Sequence, residues 1–85
     1  MTPTECRMAR SGVRFSAEDL APCVDLSPAA IRSYENNGGG LHATVDKIRA
    51  YFVSRGIAFV SETEADRQGV ILPPPSPPSL DAAAE

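Results

Sequence analysis

The stretch Ser16-Ala17-Glu18-Asp19-Leu20-Ala21-Pro22-Cys23-Val24-Asp25-Leu26-Ser27-Pro28-Ala29-Ala30-Ile31-Arg32-Ser33-Tyr34-Glu35-Asn36 decides the reading of this chain. It holds two helix starts, one at Ser16 and one at Ser27. At Ser16 a capping hydroxyl precedes Glu18 and Asp19, acids that the positive end of a helix dipole favours. At Ser27 the hydroxyl precedes Pro28, whose fixed φ and missing N–H suit the first helical position. Pro22 removes the bond to the Glu18 carbonyl, so the first of these helices is expected to be kinked or short. Leu20, Ala21 and Cys23 are expected on its buried side. Val24-Asp25-Leu26 reads as a tight turn. The second helix is expected to run to about Asn36, where Asn37-Gly38-Gly39-Gly40 stops it.

Upstream, Thr2-Pro3-Thr4-Glu5 carries a cap, a first-turn proline and a capping-box acid. The helix it opens has Cys6, Ala9 and Met8 as its apolar stripe, with Arg7 and Arg10 beside it, and Gly12 ends it. Downstream, Leu41 is expected to turn back to the core. A fourth helix is expected from about Thr44 to Arg55, with Val45, Ile48 and Phe52 at helical spacing and Gly56 after its end. Ile57-Ala58-Phe59-Val60 and Val70-Ile71-Leu72 are β-prone runs separated by a polar connection, and read as a short hairpin. A hairpin that small needs a helix or a partner chain to pack on. From Pro73 to Glu85 five prolines precede Leu80, Asp81 and three alanines, so residues 73–85 are expected to form a disordered, Pro/Ala-rich acidic tail. The expected fold is therefore mainly α: one domain over residues 1–72, with four to five helices and a C-terminal β-hairpin.

The net charge is −3, but it is unevenly placed. Residues 1–61 carry seven Arg and Lys against six acids, whereas residues 62–85 carry Arg67 against five acids. A domain at +1 attracts polyanions weakly, so one copy is expected to hold DNA weakly. Cys6 and Cys23 form no CxxC pair and are expected to be reduced core residues. The chain shows neither an apolar leader nor a run long enough to span a bilayer, so a cytoplasmic protein without a membrane role is expected. His42 has no second ligand at metal spacing, so neither a metal nor a cofactor is expected. The serines lack a histidine partner, and Gly38-Gly39-Gly40 lacks the lysine of a phosphate loop, so no enzyme is expected.

Two short capped helices joined by a tight turn are the unit of a helix-turn-helix. The helix that starts at Ser27 is then the candidate reader of the major groove. Ile31 and Tyr34 face inward, above Leu26. Pro28, Ala29, Arg32, Ser33 and Asn36 share the opposite face, which is expected to be small, mostly uncharged and free of acids. The capped starts at Ser16-Ala17 and at Ser27 offer backbone N–H groups to phosphates.

The run from Val13 to Val60 resembles the lambda-repressor-like helix-turn-helix domains of Xre/Cro type. The resemblance rests on Ser16-x-x-Asp19-Leu20-Ala21, Leu26-Ser27-Pro28, Ile31-x-x-Tyr34-Glu35-Asn36 and the glycine-rich stop. The later runs Thr44 to Arg49, Gly56 to Val60 and Gly69 to Leu72 look like a small bacterial subfamily of these. The resemblance implies a DNA-binding transcriptional regulator, such as a repressor, that reads bases from Pro28, Ala29, Arg32 and Ser33. It implies a structural pair between Arg10 and Glu35, and backbone contacts from the loop Asn37 to His42. Relatives often carry glutamines at the reading positions, where this chain has Pro28 and Ala29. Side-chain bonds to bases then fall on Arg32 and Ser33, with an Arg–guanine pair foremost. Where relatives often have glycine this chain has Asp25, a residue that tolerates the left-handed conformation.

Each of these readings has a plainer rival. Arg10 with Glu35 is alternatively a surface ion pair, and Arg32 a solvated helix residue. Lys47 is the best backbone-contact candidate of the later helix. Tyr34, Phe52 and Phe59 read as core, while Phe59 and Val60 also read as a strand that pairs across a two-fold axis. A homodimer would double the phosphate contacts and read two half-sites of a palindrome. The expected partners are double-stranded DNA, a second copy of the chain, and RNA polymerase or another regulator. The rival function is a protein-interaction module on the same fold, antitoxin-like or adaptor-like.

Overall fold

A computed structural model describes residues 1–74. The remainder of the proline-rich tail expected over residues 73–85 lies outside the described residues. The described chain is mainly helical, with α1 (Pro3–Gly12), α2 (Ala17–Val24), α3 (Pro28–Asn37) and α4 (His42–Ser54). A two-stranded antiparallel sheet follows, β1 (Ala58–Phe59) with β2 (Val70–Ile71), and a single 3₁₀ turn at Val60–Glu62 lies between the strands.

The caps on α1, α2 and α3 form from the residues that signal them. Thr2 and Glu5 make a reciprocal capping box, as do Ser16 and Asp19, and Ser27 accepts from the Ala30 amide. Asp25 closes α2 in the left-handed conformation, at φ 55° and ψ 48°. Gly38 closes α3 at φ 67°, where a side chain would be strained. α2 runs on through Pro22 for two more residues. The ring is exposed, and only one intrahelical bond is lost to it.

Ile31, Leu20, Ile48 and Phe52 are fully buried where α1 to α4 meet, with Cys6 and Ala9 of α1 beside them. Burying such a side chain is worth about 1.5–3 kcal/mol. Phe59 of β1 packs edge-to-face on Phe52 at 6.3 Å, which joins the sheet to α4. The register pairs Phe59 with Val70 and Ala58 with Ile71. Because opposed residues share a face, one face takes Phe59 and Val70 to the core and the other leaves Ala58 and Ile71 in solvent.

Several expectations need correction. α4 starts at His42, not Thr44, because the Leu41 carbonyl accepts from Thr44 and Val45 without any side-chain cap. Leu41 does not return to the core; it is 76% exposed. Cys23 is exposed as well. The buried side of α2 is Ala17, Leu20, Ala21 and Val24, at i, i+3, i+4 and i+7, and Cys23 falls outside that stripe. Met8 is exposed on α1 for the same reason. Each strand holds two residues and is shorter than its β-prone run. Val60 gives its N–H to the Gly69 carbonyl at 2.9 Å and then enters the 3₁₀ turn, which ends the ladder.

Glu5 holds the sheet to α1. Beyond its capping-box role it is fully buried, and its carboxylate accepts from the Ser61 N–H at 2.8 Å, the Ser61 hydroxyl at 2.5 Å and the Gly69 N–H at 3.1 Å. Burial alone would raise this carboxyl, but the hydrogen bonds from Ser61, Gly69 and Thr2 outweigh it and hold Glu5 below its ordinary value. Two further ties act nearby. Leu72 lies over Gly12, where a Cβ would meet its side chain at 2.7 Å, and Pro73 lies beside Gly56.

Candidate nucleic-acid interface

α2, a three-residue turn from Asp25 to Ser27, and α3 form the surface on which the expected site residues meet. Along α3 the inward positions are Ile31, Tyr34 and Glu35, all buried. Ala29, Arg32, Ser33, Asn36 and Asn37 are exposed, and Pro28 is half-buried. The helix therefore splits cleanly into an anchored face and a free one. Pro28 has no N–H, and the Ala30 and Ile31 amides are taken by Ser27. Among the first amides of α3, that of Ala29 remains without a partner.

The anchored face is fastened at Glu35. Arg10 of α1 donates to both carboxylate oxygens, Nε to Oε2 at 2.8 Å and Nη2 to Oε1 at 2.7 Å. Its third nitrogen, Nη1, donates to the Phe15 carbonyl at 2.9 Å, which ties in the α1–α2 junction. The Cys6 thiol donates to Glu35 Oε2 at 3.3 Å, and Arg7 Nη2 donates to the Glu35 carbonyl at 3.1 Å. Burial raises the Glu35 carboxyl, but the hydrogen bonds from Arg10 and Cys6 and the charges of Arg10 and Arg7 hold it below the usual carboxylate range. Burial pushes the Cys6 thiol well above its ordinary value, and the Glu35 charge adds to this, so Cys6 stays a protonated donor. The pair is thus a partly buried bidentate contact, not the exposed alternative. Tyr34 adds a bond from its hydroxyl to the Met1 carbonyl at 3.2 Å.

The free face differs from expectation in two ways. Ala17 is buried at 4% exposure, backbone and side chain together, and packs in the core. More importantly, the face is not free of acids once α2 is folded beside it. Glu18 of α2 reaches across and accepts from Arg32 Nη2. Both side chains of this pair are more than half exposed. Ser16 and Ser27 are committed through their hydroxyls to their own caps. Lys47 is exposed on α4, and among the described residues it has no carboxylate partner.

The Phe59 side chain is buried in the core of its own chain and Val60 leaves the strand for the 3₁₀ turn, so the strand expected to pair across a two-fold axis is shortened to Ala58–Phe59. The large exposed side chain of the sheet is instead Ile71. Glu18, Cys6 and, beyond its capping box, Glu5 are the residues with contacts that the sequence does not announce. Glu5 sits beside Cys6 and Ala9 on the buried stripe of α1, and an acid on an apolar stripe is the signal that marked it. Glu18 gave no such signal, since its partner comes from another helix.

Arg14 at the α1–α2 junction has φ 61°, a left-handed backbone that is uncommon outside glycine. Among the described residues no group of three His, Cys, Asp or Glu side chains converges as a metal site. No described helix is long and apolar enough to cross a membrane. No protein-family model matches the chain, and no curated protein and no solved structure matches it.

Proposed function

We propose that this chain is a sequence-specific DNA-binding regulator of transcription, a helix-turn-helix protein of the lambda-repressor-like kind, acting at the nucleoid in the cytoplasm. The observation that carries the reading is the division of α3 into two faces. Ile31, Tyr34 and the Arg10–Glu35 pair hold one face rigid, while Ala29, Arg32, Ser33 and Asn36 stand in solvent on the other. A short helix fixed on one side and free on the other, with an arginine at its centre, has the shape and chemistry to enter the major groove. Arg32 pairs with a guanine there, Ser33 and Asn36 add polar contacts, and Ala29 touches a thymine methyl. Asn37 and Lys47 reach the phosphate backbone, with the amides at the starts of α2 and α3.

A near-neutral domain holds DNA weakly, so the protein acts as a homodimer on a palindromic site, with contact to RNA polymerase or another regulator setting its effect. The rival, a protein-interaction module on the same fold, is favoured by one observation, the acid Glu18 seated against Arg32.

Genome-wide occupancy of the tagged protein beside its Arg32→Ala variant separates the two. Sharp peaks that share a palindrome and vanish in the variant are expected. Diffuse or absent peaks that are alike in both proteins would favour the interaction module. Light scattering on the free and DNA-bound protein checks the dimer, and a monomer in both states would refute it.

A further inference from the structure

We infer that Glu18 sets the specificity of Arg32 by competing for its guanidinium, so that the arginine is released to a guanine but withheld from phosphates. The inference rests on the reading of α3 as a base-reading helix, and adds a residue of α2 that touches no base in that reading. Arg32 Nη2 donates to Glu18 Oε2, and among the described residues the guanidinium has no other hydrogen-bond partner. The carboxylate therefore occupies one nitrogen and leaves Nε and Nη1 without a protein partner. Guanine presents two acceptors, O6 and N7, to two nitrogens in one plane, and so outcompetes a single carboxylate contact. A phosphate also offers two oxygens to the guanidinium, but there one anion only replaces another, so the carboxylate already in place cancels most of what the phosphate contact would add.

Without Glu18, Arg32 on an unrelated duplex is free to swing to the backbone and add a sequence-independent contact. With Glu18 in place, that contact is replaced by the intramolecular one. The carboxylate thus lowers binding to unrelated DNA more than it lowers binding to the preferred site. Both side chains are more than half exposed, so the exchange needs no rearrangement of the core.

The test uses the full chain and two short duplexes, one recovered by the wild-type protein from a randomised pool and one scrambled. Glu18→Gln, Arg32→Ala and the double variant are compared by fluorescence anisotropy over a range of salt. Glu18→Gln is expected to tighten the scrambled duplex roughly three- to tenfold, and to steepen its log–log salt slope by about 0.9, as one added phosphate contact requires. The recovered duplex is expected to tighten less, so discrimination falls. In the Arg32→Ala background the difference between the two duplexes on adding Glu18→Gln is expected to disappear.

Equal tightening on both duplexes, or a difference that persists without Arg32, would mean a general charge effect and would overturn the inference. Loss of binding to the recovered duplex alone would make Glu18 a buttress of Arg32 and would also overturn it. If the wild-type protein recovers no preferred duplex, the base-reading proposal itself fails, and that outcome is distinct from the others.

Discussion

Helix α3 carries two arginine–glutamate pairs on opposite sides, and they are built from the same chemistry to different ends. On the inner side Glu35 takes a bidentate contact from Arg10, with side-chain exposures of 4% and 20%. On the outer side Arg32 takes a single contact from Glu18, with exposures of 51% and 57%. Breaking a buried pair leaves a charge without solvent or partner, which costs about 3–5 kcal/mol. An exposed pair is replaced by water at about 0–1 kcal/mol. The inner pair is therefore a fastener and the outer one a contact that exchanges freely. Burial, not residue type, makes the difference.

The comparison breaks most sharply at Arg10. Arg10→Ala is expected to destabilise the fold by about 3 kcal/mol, because the buried Glu35 loses its bidentate partner and keeps only the Cys6 thiol as a donor, and the Phe15 carbonyl loses its bond to Arg10. Urea unfolding followed by circular dichroism checks it, and a loss under about 1 kcal/mol would place the inner pair in the class of the outer one.

Acid gives the next largest effect. Glu5 and Glu35 are held below their ordinary values in the folded chain, and Glu62 is held at about 2 by Arg49 and the Met1 amino group. Carboxyls that are lowered on folding stabilise the fold fully above their unfolded values, and that stability is lost as pH falls through the folded ones. The urea midpoint is expected to be level near neutrality and to fall steadily from about pH 4.5 downward. A midpoint unchanged down to about pH 3 would refute the assignment.

Arg14 offers a smaller effect of opposite sign. Its left-handed backbone is strained for a side chain, so Arg14→Gly is expected to stabilise the protein by about 1 kcal/mol, a rise of roughly 4–8 °C in Tm. A fall in Tm would show that the arginine side chain contributes more than the strain removes. The smallest change belongs to the outer pair. Glu18→Gln is expected to move stability by under about 0.5 kcal/mol, so its effect on DNA discrimination is read on an intact fold. A loss near that of Arg10→Ala would erase the distinction between the two pairs.

Local signals were legible in the sequence wherever the responsible residues lie close together. Thr2 with Glu5, Ser16 with Asp19, and Ser27 with Pro28 marked three helix starts, since a cap and its amides lie within one turn. Asp25 and Gly38 marked two ends by their tolerance of positive φ. α4 was placed two residues late because Leu41 starts it with its carbonyl alone, and a carbonyl leaves no trace in residue type. The buried side of α2 was misjudged at Cys23, where the residue's apolar character suggested burial and the helical spacing put it outside. Of the candidate interface, the exposed residues of α3 followed from its 3.6-residue period. The acid facing Arg32 did not, because it depends on how α2 packs beside α3.

The bonds that Glu5 accepts from Ser61 and Gly69 join residues 56 and 64 positions apart. The contacts between α2 and α3 need only a short turn to close. In kinetic terms the four helices have neighbours within reach early, whereas the sheet must wait for nearly the whole chain to fold back on α1 and bear the entropy of that closure. The Ser61 and Gly69 amides are then protected last in folding and open among the first in native-state hydrogen exchange. A buried carboxylate near the start of the chain thereby acts as the final clasp of the domain, while α2 and α3 already stand in place.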